Sequence, residues 1–326
     1  MKYLILIQKK KIITGNKINE ELIKSISVET SEENLYGIFD PDRNNFKLDM
    51  WSLSDGEKIK NTFARISKIN LSKSSEELFI NTILTYSYLP LSMNNNEFLD
   101  LKIKWLIKNS KDELLEEFLN KNENFNNKDI IIQYLVDRNI AKANLNEGCK
   151  KSDFISKEVK NSYLEKFKIY CLIFNDKKNE AQLLFDILRE QKMSDKFFND
   201  KINFLLGISD KTDEKIRDDN LLNFYLSSVT IPNFSYDPKV NTNTFIWEYL
   251  NAANLVKIDD VKNIEKIKSL ENAANRNDLD KDKIFDIYKK LPFDLNSLIN
   301  AEEIYQSLDE ISARALIYQK FLLSDN

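Results

Sequence analysis

The chain has 326 residues, 42% of them hydrophobic and 11% aromatic, with a formal net charge of −4 and no histidine. That apolar content suffices for a sizeable core and argues against disorder over most of the length. The missing histidine removes Ser-His-Asp and Cys-His nucleophiles, histidine proton shuttles and almost all zinc enzymes, and the acidic balance argues against a nucleic-acid surface.

Residues 1–50 differ from the rest and are expected to form an N-terminal arm. Residues 3–7 read as a short strand or a frayed start, and residues 18–26 as a weak helix. Tyr36-Gly37-Ile38-Phe39, the turn-forming run from Asp40 to Asn45, and Phe46-Lys47-Leu48 follow as apolar, turn, apolar. That order predicts a small β-hairpin. Asp40, Asp42 and Asn44 imitate the start of a calcium loop, but Asn45 stands where glycine is needed and Trp51 where a bidentate Glu belongs. Asp278, Asp280 and Asp282 repeat the imitation without the glycine or the terminal Glu, and a helix cap is the better reading. No metal and no cofactor is expected.

From Ser54 onward the chain reads as helix after helix, with few of its five glycines and five prolines inside the periodic runs. Ser54 with Glu57 has the pattern of a capping box before a helix to residue 66. Ser74 or Ser75 caps the next, to residue 86, and Pro90 bars its continuation. Residues 95–107 carry Phe98, Leu101, Trp105 and Leu106 on one stripe, with Leu114, Leu115, Phe118 and Leu119 as the partner helix. Residues 129–136 and 140–145 predict a shorter pair.

The clearest hairpin spans residues 161–191. Leu164, Phe167, Tyr170, Cys171 and Phe174 recur at three- and four-residue steps, Asn175-Asp176 breaks the pattern, and Ala181, Leu184, Phe185 and Leu188 resume it. Further helices are expected over 197–206, 221–229, 244–255, 261–274, 281–291, 295–308 and 311–323. Residues 230–243 hold two prolines among polar residues and read as a loop or a domain boundary. The expected organisation is therefore a helical-repeat region over 51–229 and a further one over 244–326.

Three helix ends share one layout, an apolar-aromatic run closed by Asn109, Asn139 or Asn175, at spacings of 30 and 36 residues. Spacing in the thirties is that of stacked helical hairpins, which predicts an all-α, tetratricopeptide-like α-solenoid. The tetratricopeptide residue pattern itself is not matched. The last run, with Leu316, Ile317, Phe321 and Leu322, lacks a second helix after it, and those four residues form a candidate contact surface for self-association.

Cys149 and Cys171 have no metal-ligand spacing. They read either as two half-buried thiols or as a disulfide. In a tight hairpin turning near residues 152–156 the bridge would require the segment around Gly148 to fold back as a loop. No stretch reaches the apolar length of a membrane span. The start has only five consecutive apolar residues, too few for a signal core, so the sequence as written predicts a cytoplasmic protein, or a periplasmic one if the true N-terminus is missing.

The run Ala313-Arg314-Ala315-Leu316-Ile317-Tyr318-Gln319, with Trp51 followed by Ser54, Tyr170-Cys171 and Ala181-Gln182-Leu183, resembles an uncharacterised family of long bacterial helical-repeat proteins. The likeness spans most of residues 45–326. It implies stacked helices and carries over no catalytic residue.

The function expected is a noncatalytic scaffold that binds another protein or a peptide on its solenoid surface. The alternative is a helical accessory domain of an enzyme, for example of cell-wall metabolism, whose active site lies elsewhere or uses carboxylates. Glu116-Glu117 and Glu302-Glu303 are the nearest acidic pairs, and neighbours on a helix do not converge. A buried cluster of carboxylates from different helices, with raised pKa values, would favour that alternative.

Overall fold

The computed structural model describes residues 35–122, 125–155, 161–239, 241–256 and 263–324. The expectations for residues 3–7 and 18–26 lie outside them. Among the described residues the fold is all-α, with sixteen α-helices, three 3-10 helices and no strand. The helices pack neighbour to neighbour as an α-solenoid.

The predicted β-hairpin is not formed. The amides of Ile38 and Phe39 donate to the Leu84 carbonyl and Tyr86 donates back to Phe39, so this segment pairs with the chain after a helix instead of with residues 46–48. Gly37 permits the approach, since a Cβ there would meet the Leu84 carbonyl oxygen at 2.8 Å. Asp40 caps a 3-10 helix, Pro41–Asn44, by accepting from the Asp42 amide, and so serves a turn.

Helix α1 (Gly56–Ile66) is capped by Asp55, one residue beyond the expected Ser54, and α2 (Lys73–Leu84) by Ser72. The capping box occurs two helices later than expected, where Asn94 and Glu97 exchange hydrogen bonds at the start of α3 (Asn95–Lys108). Its partner is α4 (Asp112–Lys121). The pair expected over 129–136 and 140–145 is one continuous helix, α5 (Lys128–Ala141), followed by α6 (Leu145–Lys151). Asn139 does not end it, because the next two residues, Ile140 and Ala141, are buried and hold the chain helical against the core.

The expected hairpin stands as α7 (Ser162–Phe174) and α8 (Lys178–Glu190), with Leu164, Phe167, Ala181 and Phe185 wholly buried, Leu184 half-buried and Phe174 exposed. Helices α9 (Lys196–Leu206) and α10 (Leu221–Thr230) follow. Phe234 and Tyr236, in the predicted break, pack edge-on against Phe224 of α10, which fixes that loop on the core. Then come α11 (Thr244–Ala252), α12 (Ile264–Asn275) and α13 (Lys281–Lys290). The helix expected over 295–308 is broken into α14 (Leu295–Ile299), α15 (Ala301–Ile304) and a 3-10 turn, Tyr305–Ser307. The last helix, α16 (Glu310–Ser324), packs on α13 as well as on that broken segment.

One corner recurs. After α3, α5, α7, α8, α11 and α12 a non-glycine residue takes positive φ: Ser110, Ala143, Asp176, Lys192, Asn254 and Asn277. In each case the following amide donates back across the helix end, as from Lys111 to Leu106 and from Lys177 to Leu172. These are Schellman closures, which satisfy the last carbonyls of a helix and turn the chain at once.

Two apolar cores result. The larger gathers residues from Ile38 to Leu250, and the smaller gathers Trp247, Ile267, Leu270, Ile284, Ile287 and Ile311 with their neighbours. Helix α11 serves both, giving Ile246, Tyr249 and Leu250 to the first and Trp247 to the second.

Candidate functional site

Helices α12, α13 and α16 each begin at a side-chain cap: Asn263, Asp280 and Asp309 accept the first free amides. Asp280 thus does the capping expected of the second calcium-like run, while Asp278 pairs with Arg276 at 2.9 Å. The caps fix where each helix starts, and apolar stripes then set which faces meet: Ile267, Leu270 and Ala274 on α12, Ile284 and Ile287 on α13, Ile311 and Ala315 on α16. Gln319 donates to the Tyr288 and Leu291 carbonyls and ties α16 to the end of α13.

Between these helices lies a groove of about 640 Å³. Glu271 is buried at its base, where it accepts from the Tyr288 hydroxyl and from both Nε and Nη2 of Arg314. Burial first, and then the bond to Glu271, push the Tyr288 phenol up to about 12. The Glu271 carboxylate holds the Arg314 guanidinium still more firmly protonated than usual. A carboxylate held by a fork of guanidinium bonds is fixed in place. The walls are apolar and open: Ile264 is 42% exposed and Phe285 37%, the latter stacked on Tyr318 at 4.9 Å between centroids. Lys268, Lys281, Glu265 and Glu310 line the groove with mixed charge.

Carboxylates from different helices also meet around Lys60, which takes Glu57 of α1 and Glu97 of α3 at 3.0 Å each, and around Arg138. Asp112 of α4 and Glu248 of α11 flank Arg138, at 3.4 and 2.9 Å, and Asp112 also takes Lys142 and the Tyr134 hydroxyl. Burial pushes the Glu248 carboxyl up while Arg138 draws it down. A guanidinium between two acids ties these helices together. Among the described residues, no group of three or more acidic or cysteine side chains could hold a metal ion. The adjacent acids named from the sequence lie apart from these sites: Glu116 pairs with Lys151, Glu117 with Lys121, and Glu302 and Glu303 are exposed.

The structure joins Cys149 and Cys171 in a disulfide with Cα atoms 5.4 Å apart. The tight turn assumed from sequence is absent, since ten residues separate α6 from α7. Gly148 stays helical and lets α6 approach closely, because a Cβ there would meet Asn139 at 3.2 Å and the Phe167 ring at 3.4 Å. Of the contact surface named on α16, Leu316 is wholly buried, Leu322 is half-buried, and Ile317 and Phe321 are exposed.

Sequence reasoning missed the Glu271–Tyr288–Arg314 arrangement. Glu271 and Arg314 are 43 residues apart and belong to different helices, so no local spacing marks them. The one available signal was a Glu in an otherwise apolar stripe beside Leu270 and Ala273. No helix among the described residues is long and apolar enough to cross a membrane. No family model matches the chain, and no curated protein or solved structure matches it either.

Proposed function

We propose that the protein is a noncatalytic helical-repeat scaffold that binds a protein or peptide segment, and that the groove between α12, α13 and α16 is where it does so. The observation that carries this reading is the exposure of Ile264 and Phe285 on the walls of a preformed groove whose base is fixed by the Glu271–Arg314 fork. Open apolar side chains above a rigid polar base suit an extended or helical segment that inserts one or two apolar side chains. The mixed charge of the rim and the net charge of −4 favour a polypeptide over a nucleic acid.

Selection of peptides from a random display library on the intact chain tests the reading. Enriched peptides should bind wild type and lose at least about tenfold in affinity to Ile264→Glu or Phe285→Ala, a loss of about 1.4 kcal/mol. They should keep their affinity for Leu183→Ala, on the exposed face of α8. Failure to enrich any peptide, or equal binding by all three variants, would remove the groove from consideration.

A further inference from the structure

Lys102 of α3 is 2% exposed. Its Nζ donates to the Tyr36 carbonyl at 3.1 Å and lies 4.3 Å from the centre of the Phe98 ring. Both contacts favour a cation, yet neither supplies a counter-charge. Beside it is a small, partly open cavity in which about 10 Å³ is open to the centre of a water-sized particle, room for one such particle. Ser87 and Asn95 line it with apolar side chains and Tyr36, and no acid among the described residues does. The buried Ser87 hydroxyl has no hydrogen-bond partner among the described residues. A buried hydroxyl left unpaired and a buried cation left uncompensated are each costly, and here they face the same small space.

We propose that this cavity is a binding site for one small monovalent anion of chloride size, held by the Lys102 ammonium and the Ser87 hydroxyl. Such an ion accepts from both donors and supplies the missing negative charge, whereas a water molecule would leave the charge uncompensated. Described acids on the elements around it are engaged elsewhere: Asp40 on the segment after Tyr36 caps a turn by accepting from the Asp42 amide. Glu97 on α3 takes Lys60 and the Asn94 amide, Asp100 takes Lys104 and Asn127, and Glu117 on α4 takes Lys121, which itself reaches the Ile38 carbonyl. The segments packed over α3 also carry the phenols of Tyr36, Tyr86 and Tyr88 and the charged Asp40, Asp42 and Arg43. Burial brings the Lys102 amine down to about 7. Anion binding is therefore coupled to protonation of this amine: it is strong below that value and fades as pH rises above it.

Thermal melts of the full chain in potassium chloride and in potassium gluconate at equal ionic strength test the site, since matching the ionic strength removes general screening. At about pH 6, roughly 0.3 M chloride should raise Tm by about 2–4 °C over gluconate, and at about pH 9 the two salts should agree. Lys102→Met should abolish the difference at about pH 6, and Ser87→Ala should reduce it. Bromide soaked into crystals of the wild type should give an anomalous peak between Lys102 and Ser87, a readout that needs no variant to fold. Equal melting in both salts at the lower pH, or a cavity that holds water and no bromide, would overturn the proposal.

Discussion

The two cores of this chain solve the same packing problem with different materials. Residues 35–256 bury aromatic and aliphatic side chains in a continuous core, linked by the Tyr170–Tyr225 hydroxyl bond, edge-on ring pairs and the Cys149–Cys171 bridge. The smaller core, built from α11 to α16, carries a buried carboxylate at its edge, forked by a half-exposed guanidinium, and leaves apolar residues open on its surface, Leu295 and Ile299 of α14 among them. Apolar packing yields stability without direction, whereas a forked ion pair fixes geometry at little net gain. The difference teaches where to look for function. The region that spends least on sealing its own apolar surface is the one that presents a shaped groove.

That contrast breaks most sharply at Phe167, wholly buried where α7 meets α6. Phe167→Ala should cost about 3–5 kcal/mol in chemical denaturation, against less than about 1 kcal/mol for Phe285→Ala on the groove wall. Similar losses at the two positions would erase the distinction between sealed and open regions. Next in size is the disulfide, which closes a loop of 22 residues. Its reduction should destabilise the larger core by about 3 kcal/mol and lower Tm, with the thiol count rising from zero to two on treatment. An unchanged melt after verified reduction would show that helix packing alone holds α6 on α7.

In the smaller core, Arg314→Ala leaves Glu271 buried with Tyr288 as its remaining partner. Because Arg314 is itself half-exposed, the expected loss is about 2 kcal/mol, below the range for a fully buried pair. Hydrogen exchange should place the loosening in α12, α13 and α16, and protection lost equally in α7 would instead mean that the two cores unfold as one.

The smallest effect per step concerns acid. Burial pushes the Asp137 carboxyl up to about 7, against the hydrogen bonds from Tyr163 and Gln133 that draw it down. The folded chain thus binds a proton here that the unfolded chain has released, so this contribution is complete below about pH 4 and is lost as pH rises to about 7. Stability should fall over that window by at most about 1.4 kcal/mol per pH unit and then level off. Asp137→Asn should flatten the profile, and an unaltered slope in that variant would assign the titration to another group.

Much of the architecture was legible because helical period survives in local sequence. The α7–α8 hairpin needed only the spacing of Leu164, Phe167 and Cys171 and the break at Asn175-Asp176. The corners were less legible. Asn109 and Asn175 do close their helices, but the residues that turn left-handed are Ser110 and Asp176, and Ala143 and Lys192 do the same with no side-chain signal at all. The N-terminal pairing was misread because Phe39 finds Thr85, far along the chain, and not Phe46 across the turn. The groove lay out of reach for the same reason. Tertiary contacts bring Glu271, Tyr288 and Arg314 together, and each reads alone as an ordinary amphipathic helix residue.

The repeated left-handed corner has a consequence for how such a chain changes over time. Its geometry is held by main-chain donors and acceptors, and six different positions reach it with serine, alanine, aspartate, lysine and asparagine. A joint made of backbone places little demand on the letter written there, and the intervening helices ask only for apolar residues of suitable volume on one side. Duplication of a helix pair therefore carries its own connector, and the copies can diverge until no signature remains while the stack keeps its form. Shape in this architecture is inherited more durably than spelling.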